Sequence, residues 1–327
     1  MKDQILANKI LNWYDINKRV LPWRKNLSQK KKQYYTLVSE FMLQQTQVAT
    51  VIPFFNRFIK NIPDLEALAN FDNHKLIKLW EGLGYYSRVR NLKKTAQIVV
   101  KNFDKKLPRK YLDLKSLPGI GDYTAIAISA IVFNKHIIPL DGNIERVLKR
   151  YLYLKKENEI NKENLIKKKK IFGYSNRASD YAQALMELGA LICKPNNPHC
   201  EQCPISNKCI ALKKKDFLLT KIKKKNNNKY YLLKVYKDKN KYLLIKNTKF
   251  NFLKNFSIFP MQELSKPTSS TDIVNFKMSN MNMNIKIEHK NKVGSLPTSH
   301  WIDPKKLKNY TLPTFTKKIV RYLESNK

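Results

Sequence analysis

Leu117-Pro118-Gly119-Ile120-Gly121-Asp122-Tyr123-Thr124-Ala125 is the stretch on which the fold turns. Two glycines flanking one apolar residue make a tight turn, and an apolar helix over Thr124–Phe133 follows at once. Such a turn leaves backbone N–H groups pointing outward at a helix N-terminus, which suits a phosphate. Taken alone, the same residues would serve equally as an ordinary connection between two helices.

A second cluster downstream decides between these readings. The chain has four cysteines, all within Cys193-x6-Cys200-x2-Cys203-x5-Cys209. Thiols this close together, with short polar spacers, point to a metal centre. Disulfides suit a chain this poor in cysteine badly, and no secretory signal precedes them. Tetrahedral zinc also accepts four thiolates, but zinc modules pair their ligands in two close hooks and here only Cys200 and Cys203 sit close. The spacing favours a [4Fe–4S] cluster held by one loop, with zinc as the alternative. With a thiolate cluster behind it, the 117–125 turn becomes a helix-hairpin-helix.

At 327 residues the chain can bury a large core in two or three domains. Its start is amphipathic and charged throughout, unlike a signal peptide, and no run of eighteen apolar residues occurs. The expectation is a monomer in the cytoplasm, nucleoid-associated if bacterial, with no membrane partner. A formal charge of +39 indicates a polyanionic partner, nucleic acid above all. Ten of the 64 basic residues are Arg and the rest Lys, alongside many Asn, Ile and Tyr, so part of the excess reflects AT-rich codons.

Helical stripes cover Ile5–Tyr14, Leu37–Ile52, Leu76–Leu83, Leu92–Val100, Thr124–Phe133 and Tyr181–Ile192. Lysine- and asparagine-rich residues over 213–229 make a linker. Beyond it Tyr230–Tyr236 and Lys241–Lys246 alternate as strands joined by a hairpin, and Thr314–Leu323 closes the chain as a helix. The chain is thus mainly α, followed by a small α+β domain.

Five motifs in order resemble the MutY family of adenine DNA glycosylases, in the endonuclease III superfamily. They are Ser39-Glu40-Phe41-Met42-Leu43-Gln44-Gln45-Thr46-Gln47-Val48, Gly82-Leu83-Gly84-Tyr85-Tyr86-Ser87-Arg88, the 117–125 hairpin, Leu140-Asp141-Gly142-Asn143 and the cysteines. The resemblance spans about residues 10–212. It implies a helix-hairpin-helix DNA glycosylase fold with an iron–sulfur loop and a Nudix-like C-terminal domain. Its domains would be a six-helix domain at 25–135, a cluster domain made of 1–24 with 136–212, the linker, and 230–327.

It also implies an enzyme of base excision repair acting on double-stranded DNA that carries adenine opposite 8-oxoguanine or guanine. Such an enzyme flips the adenine out and hydrolyses its N-glycosidic bond, leaving an abasic site. One carboxyl must protonate the leaving base while another steadies an oxocarbenium-like sugar. Glu40 matches the acid, although an apolar-flanked Glu is more often an ordinary helix residue. Asp141 matches the stabilising carboxylate, and also fits an N-cap for a helix over Ile144–Tyr151. Asn143 would support Asp141 by hydrogen bonding. Tyr123 stands where strand-cleaving relatives carry a Schiff-base lysine, which implies a monofunctional enzyme; its plainer role is a half-buried aromatic at a helix start.

Gln45 and Tyr85 match residues that wedge into the duplex, with Gln44 on the face of Glu40. Leu117, Gly119 and Gly121 match the hairpin that meets the DNA backbone. Arg24, after Leu21-Pro22-Trp23, would approach the adenine. Cys193, Cys200, Cys203 and Cys209 would hold the [4Fe–4S] cluster, and Lys194 and Lys208 would meet phosphates. The five histidines join no motif. Two features depart from the family: Asn280-Met281-Asn282 replaces the Phe-Ser-His of the 8-oxoguanine-reading loop, and Phe250–Asn255 replaces a Gly-Leu-Trp-rich turn. Preference for 8-oxoguanine over guanine is therefore open. The competing readings are a G:T mismatch thymine glycosylase and a catalytically lapsed DNA-binding relative.

Overall fold

The computed structural model describes residues 2–25, 27–218, 227–267, 273–278, 281–294, 296 and 298–325. Two compact units emerge: Met1–Leu79 with Ser87–Ile222, and Trp80–Tyr86 with Lys223–Lys327.

In the first unit the helices run α1 (Lys2–Asn17), α2 (Gln29–Leu43), α3 (Val48–Asn61), α4 (Leu65–Asn70), α5 (Asn73–Leu79) and α6 (Ser87–Asn102). They continue as α7 (Tyr111–Ser116), α8 (Asp122–Phe133), α9 (Gly142–Leu152), α10 (Lys162–Lys168), α11 (Ala178–Glu187) and α12 (Ile210–Lys213). The expected stripe over Leu37–Ile52 is in fact two helices. α2 stops at Leu43 and Gln45 takes a left-handed φ of 58° before α3 begins. Likewise the Tyr181–Ile192 stripe is α11 followed by a π-turn, Leu188–Ile192, which sets Cys193 at its end. Short helices such as α4 and α7 have too few residues for a readable period.

The 117–125 stretch forms the expected turn between α7 and α8. Leu117 and Ile120 are buried, and the Thr95 hydroxyl donates to the Pro118 carbonyl at 2.8 Å. Gly119 has φ 81°, and a Cβ there would lie 2.8 Å from Phe41 Cε1 and 2.9 Å from Asn91 Cβ. The turn is thus pressed onto α2 and α6, and only glycine fits. α8, apolar and almost wholly buried, packs against α2 and α11. A second core gathers α1, α9 and α11 around Ile10, Tyr14, Leu148 and Leu185, with Cys193, Cys203 and Cys209 packed against it.

The second unit is a sheet under a helix. Its strands are β1 (Asn227–Asp238), β2 (Lys241–Lys246), β3 (Ser257–Ile258), β4 (Met261–Leu264), β5 (Ile273–Met278), β6 (Met281–Lys290) and β7 (Ser299–Ile302). They run β3-β2-β1-β6-β5, with β4 on β1 and β7 on β2. β1 and β6 pair in parallel, from Asn227 opposite Met281 to Tyr236 opposite Lys290. The expected β1–β2 hairpin forms, turning at Lys239 with φ 50°. The closing helix α13 (Thr314–Ser325) lays Phe315, Ile319, Val320 and Leu323 on Tyr231, Leu233 and Ile285. Trp80–Tyr86 belongs to this unit: Glu81 pairs with Lys317, and the Tyr86 ring lies 4.4 Å from that of Phe256.

Of the expected linker, Lys213 ends α12, Asn227 opens β1, and residues 219–226 lie outside the described residues. So does Asn280; Met281 and Asn282 open strand β6, with Asn282 Nδ2 donating to Asn228 Oδ1 at 3.0 Å. No helix among the described residues is long and apolar enough to cross a membrane.

The two hairpin glycines should separate cleanly. Gly119→Ala meets both strained φ and packed neighbours and should cost about 1–3 kcal/mol in denaturant unfolding. Gly121, with φ −87° and nothing within 4 Å of a built Cβ, should tolerate Ala within about 0.5 kcal/mol.

Candidate active site

Three helices aim carboxyl groups and a phenol into one cavity of about 930 Å³. Glu40 comes from the last turn of α2, Tyr123 from the first turn of α8, and Asp141 from the cap of α9. Glu40 is buried, 7% exposed, on a helix that is apolar on both sides of it. Burial first, and then the charge of Asp141, push its carboxyl up to about 7, against the pull of Arg24 and of the Tyr123 hydroxyl that donates to it. The same contact, with burial foremost, raises the Tyr123 phenol well above its ordinary range, so it stays a donor.

Asp141 is the helix cap that the sequence offered, and it also lines the cavity. As the N-cap of α9 it accepts the Ile144 N–H at 2.7 Å, and Asn143 Nδ2 donates to its other oxygen at 3.1 Å. Burial still raises its carboxyl somewhat, with these hydrogen bonds and Arg146 opposing. Two carboxyls in one cavity cannot both ionise cheaply. The helix N-terminus favours the anion at Asp141, so the proton resides on Glu40.

Arg24, in a short turn after Pro22, lines the cavity and donates to Glu187 Oε1 at 2.8 Å. Arg19 grips the same carboxylate at 2.8 and 2.7 Å. Burial alone would raise the fully buried Glu187, but the two arginines hold its carboxyl below its ordinary value. Sequence reasoning missed Glu187, Arg19 and the cavity-lining Gln183; the available signal was an acid inside the apolar run Leu185-Met186-Glu187-Leu188. Gln44 and Gln45 line the mouth, and Gln44 Nε2 reaches the Gly119 carbonyl at 3.4 Å. Leu117, Gly119 and Gly121 form the hairpin rather than the cavity wall. Tyr85, exposed and at φ 47°, belongs to the second unit.

Behind α9 the four cysteines border a single small cavity closed by Ile192, Leu212, Phe217 and Arg150. Among the described residues no three His, Cys, Asp or Glu side chains converge on a single ion; the sulfurs surround a space instead. Burial, reinforced by repulsion among the thiolates, pushes Cys203 up to about 12 and raises Cys200 and Cys209. Four half-buried thiols around one small cavity, with the Arg150 guanidinium 3.5 Å from Cys193 Sγ, fit a polynuclear metal centre that would take them as thiolates. Arg146 joins this region to Asn143. It donates to Asn143 Oδ1 at 2.8 Å, to the Gly189 carbonyl at 2.7 Å and to the Cys193 carbonyl at 2.7 Å. Gly189 is needed there, because a Cβ would sit 2.6 Å from Asn143 Cβ. Of the lysines expected at phosphates, Lys208 is exposed, whereas Lys194 lies 3.1 Å from the His199 ring.

Comparison with known proteins accords with this geometry. Residues 38–170 match the HhH-GPD superfamily of base excision DNA repair proteins. An adenine DNA glycosylase of Buchnera aphidicola subsp. Schizaphis graminum (strain Sg) is 38% identical over 263 residues, covering 78% of this chain and 74% of that protein. The chain belongs to the adenine DNA glycosylase family. The adenine DNA glycosylase of Homo sapiens is 39% identical over 213 residues, 62% of this chain and 38% of that protein. Among solved structures, a thermostable thymine-DNA glycosylase is 25% identical and aligns with TM-score 0.56 over 65% of this chain and 97% of its own. An endonuclease III bound covalently to DNA shares the fold, with TM-score 0.53 at 20% identity over 66% of this chain and 98% of its own.

Placing this adenine DNA glycosylase family member's proton on Glu40 has a thermodynamic consequence. Between about 4.5 and about 7 the folded protein holds a proton that the unfolded chain gives up. Stability contributed by that proton is complete at the acid end of the window and is lost as pH rises through it. Glu40→Gln removes the dependence. The difference in unfolding free energy between about pH 5 and pH 8 should shrink by roughly 2–3 kcal/mol in the variant, measured by denaturant titration.

Proposed function

We propose that this chain is a monofunctional DNA glycosylase that hydrolyses adenine from double-stranded DNA where it stands opposite 8-oxoguanine or guanine. The observation that carries the reading is one cavity lined both by the buried Glu40, whose carboxyl burial pushes up, and by Asp141, whose carboxyl accepts the Ile144 N–H and the Asn143 amide. Its two walls come from the spans read as separate lobes: Glu40 and Tyr123 from 25–135, and Asp141 and Glu187 from 136–212. The curated relatives named adenine DNA glycosylase support the choice of base.

The chemistry follows from the protonation states. Glu40 donates its proton to a ring nitrogen of the extruded adenine, making it a competent leaving group. The C1′–N9 bond then breaks and its electron pair goes to the base. The positive charge left on the sugar faces the Asp141 carboxylate, which the α9 N–H groups and Asn143 hold in place. Glu40, now anionic, accepts a proton from the water that adds to C1′. Tyr123 aims the Glu40 carboxyl by its hydrogen bond and offers no amine, so the strand is left intact. Gln45 and Tyr85 would wedge into the duplex while hairpin N–H groups and the lysine excess hold its phosphates. Cys193, Cys200, Cys203 and Cys209 would hold a [4Fe–4S] cluster, which when bound braces the loop after the π-turn.

Duplexes with adenine opposite 8-oxoguanine, adenine opposite guanine, and thymine opposite guanine, read out after hot alkali, test the function. Release from the two adenine duplexes is expected; release from the thymine duplex alone would establish the thymine reading, and none from any would establish the lapsed module. Without alkali the strand should stay whole and borohydride should trap no adduct, whereas Tyr123→Lys should introduce some nicking. Base release should decline as pH rises through about 7, and Glu40→Gln should abolish it while duplex binding persists.

The cluster has its own check. Purified protein should carry about four iron and four sulfide per chain, and Cys203→Ser should lower both. Zinc in their place would reverse the assignment.

A further inference from the structure

Arg88 stands at the start of α6, buried and outside the lining of the cavity. Its Nη1 lies within hydrogen-bond distance of four acceptors in one short stretch: the Phe41 carbonyl at 3.2 Å, Met42 at 2.8 Å, Gln44 at 2.6 Å, and the Thr46 hydroxyl at 3.1 Å. The last carbonyls of a helix have no intrahelical donor, and the negative end of the helix dipole lies among them. A guanidinium there supplies both donors and charge.

The turn it caps is unusual. α2 halts at Leu43, where the polar run Gln44-Gln45-Thr46-Gln47 begins, and Gln45 adopts φ 58° with an exposed side chain. A non-glycine residue in that region persists only where its surroundings enforce it. The turn is held by the Thr46 N–H on the Leu43 carbonyl at 3.2 Å, by the Thr46 hydroxyl on the Gln44 carbonyl and the Gln44 amide on the Gly119 carbonyl, both at 3.4 Å, and by the shorter contacts of Arg88. Glu40 lies one residue before the first carbonyl in this set, so the same guanidinium fixes the end of the helix that carries the acid.

We infer that Arg88 is a positioning residue that pre-forms the Gln44–Gln45–Thr46 turn for insertion into the duplex, so that its contribution is to extrusion of the base rather than to bond cleavage. This rests on the proposed glycosylase reading. Lysine keeps the charge, but its side chain ends one bond short of Nη1, so its ammonium does not reach the point where the four acceptors meet.

The test compares Arg88→Lys and Arg88→Met with the parent on two substrates: a fully paired duplex with adenine opposite 8-oxoguanine, and the same strand with adenine in an unpaired bubble. Single-turnover release from the paired duplex should drop about 100-fold, and release from the bubble should stay within about threefold of the parent. The pH at which release declines should not move, since Glu40 is untouched. Amide hydrogen exchange should quicken in residues 43–47 and remain as in the parent elsewhere. Thr46→Val, which removes a single acceptor and keeps the arginine, should give the same pattern more weakly. Equal losses on both substrates, or no loss on the paired duplex, would overturn the inference. If the parent releases adenine from neither substrate, the glycosylase reading fails instead; exchange in 43–47 then decides the inference, and unchanged exchange in Arg88→Lys refutes it.

Discussion

Two carboxyl groups face one cavity, and electrostatics allows only one of them to carry a charge at little cost. Much of the first unit serves that asymmetry. α9 is capped by Asp141 itself, so the helix that needs an acceptor at its N-terminus also supplies the N–H groups that keep the acceptor anionic. α2 supplies no such donors at Glu40, which sits among apolar neighbours and one phenol. Burial raises both carboxyls, and it is secondary structure that gives Asp141 the N–H donors opposing that rise. Holding these helices together requires close approach at two points, and a glycine occupies each: Gly119 against α2 and α6, and Gly189 against Asn143. Arg88 acts in the same cause by closing the end of the helix that bears the acid.

Much of this architecture is legible in the sequence, because its signals are local. The hairpin shows as Gly119 and Gly121 around one apolar residue, the cap as Asp141 before an amphipathic run, and the strand pair as alternation around a polar turn. Less local features are harder to read. In the run Leu37–Ile52 the polar Gln44–Gln47 is the sole local mark of the break after Leu43, and its geometry is not legible because the arginine that stabilises it lies 42 residues beyond Thr46. Glu187 reads as part of an apolar stripe, and only the folded chain brings Arg19 and Arg24 to it from more than 160 residues away. The π-turn that sets Cys193 likewise differs from an α-helix by one residue per turn, too little for a periodicity to reveal.

The C-terminal unit has a core of its own. The aromatic core under α13 and the β1–β6 ladder are well made, with Tyr231, Leu233, Ile285 and Ile319 almost fully buried. Where the family turn with glycine and tryptophan is missing, Asn247 does the organising: it accepts the Phe250 N–H at 2.9 Å and donates to the carbonyls of Phe250 and Phe252 at 3.2 and 2.6 Å. One buried amide thus satisfies a loop whose sequence has diverged.

The packing of α1 against α11 bears on how the chain is made. Among the described residues the apolar face of α1 packs on α11 and on the turn Lys169–Phe172, so it must wait for most of the unit to be synthesised. By contrast the Gly119 turn, α8 and α2 lie within about 100 residues and can condense earlier. The parallel β1–β6 ladder then joins strands more than 50 residues apart, a slow closure by its loop entropy. During synthesis, therefore, the acid-bearing half of the cavity takes shape before the half that carries the aspartate, and the sheet comes last.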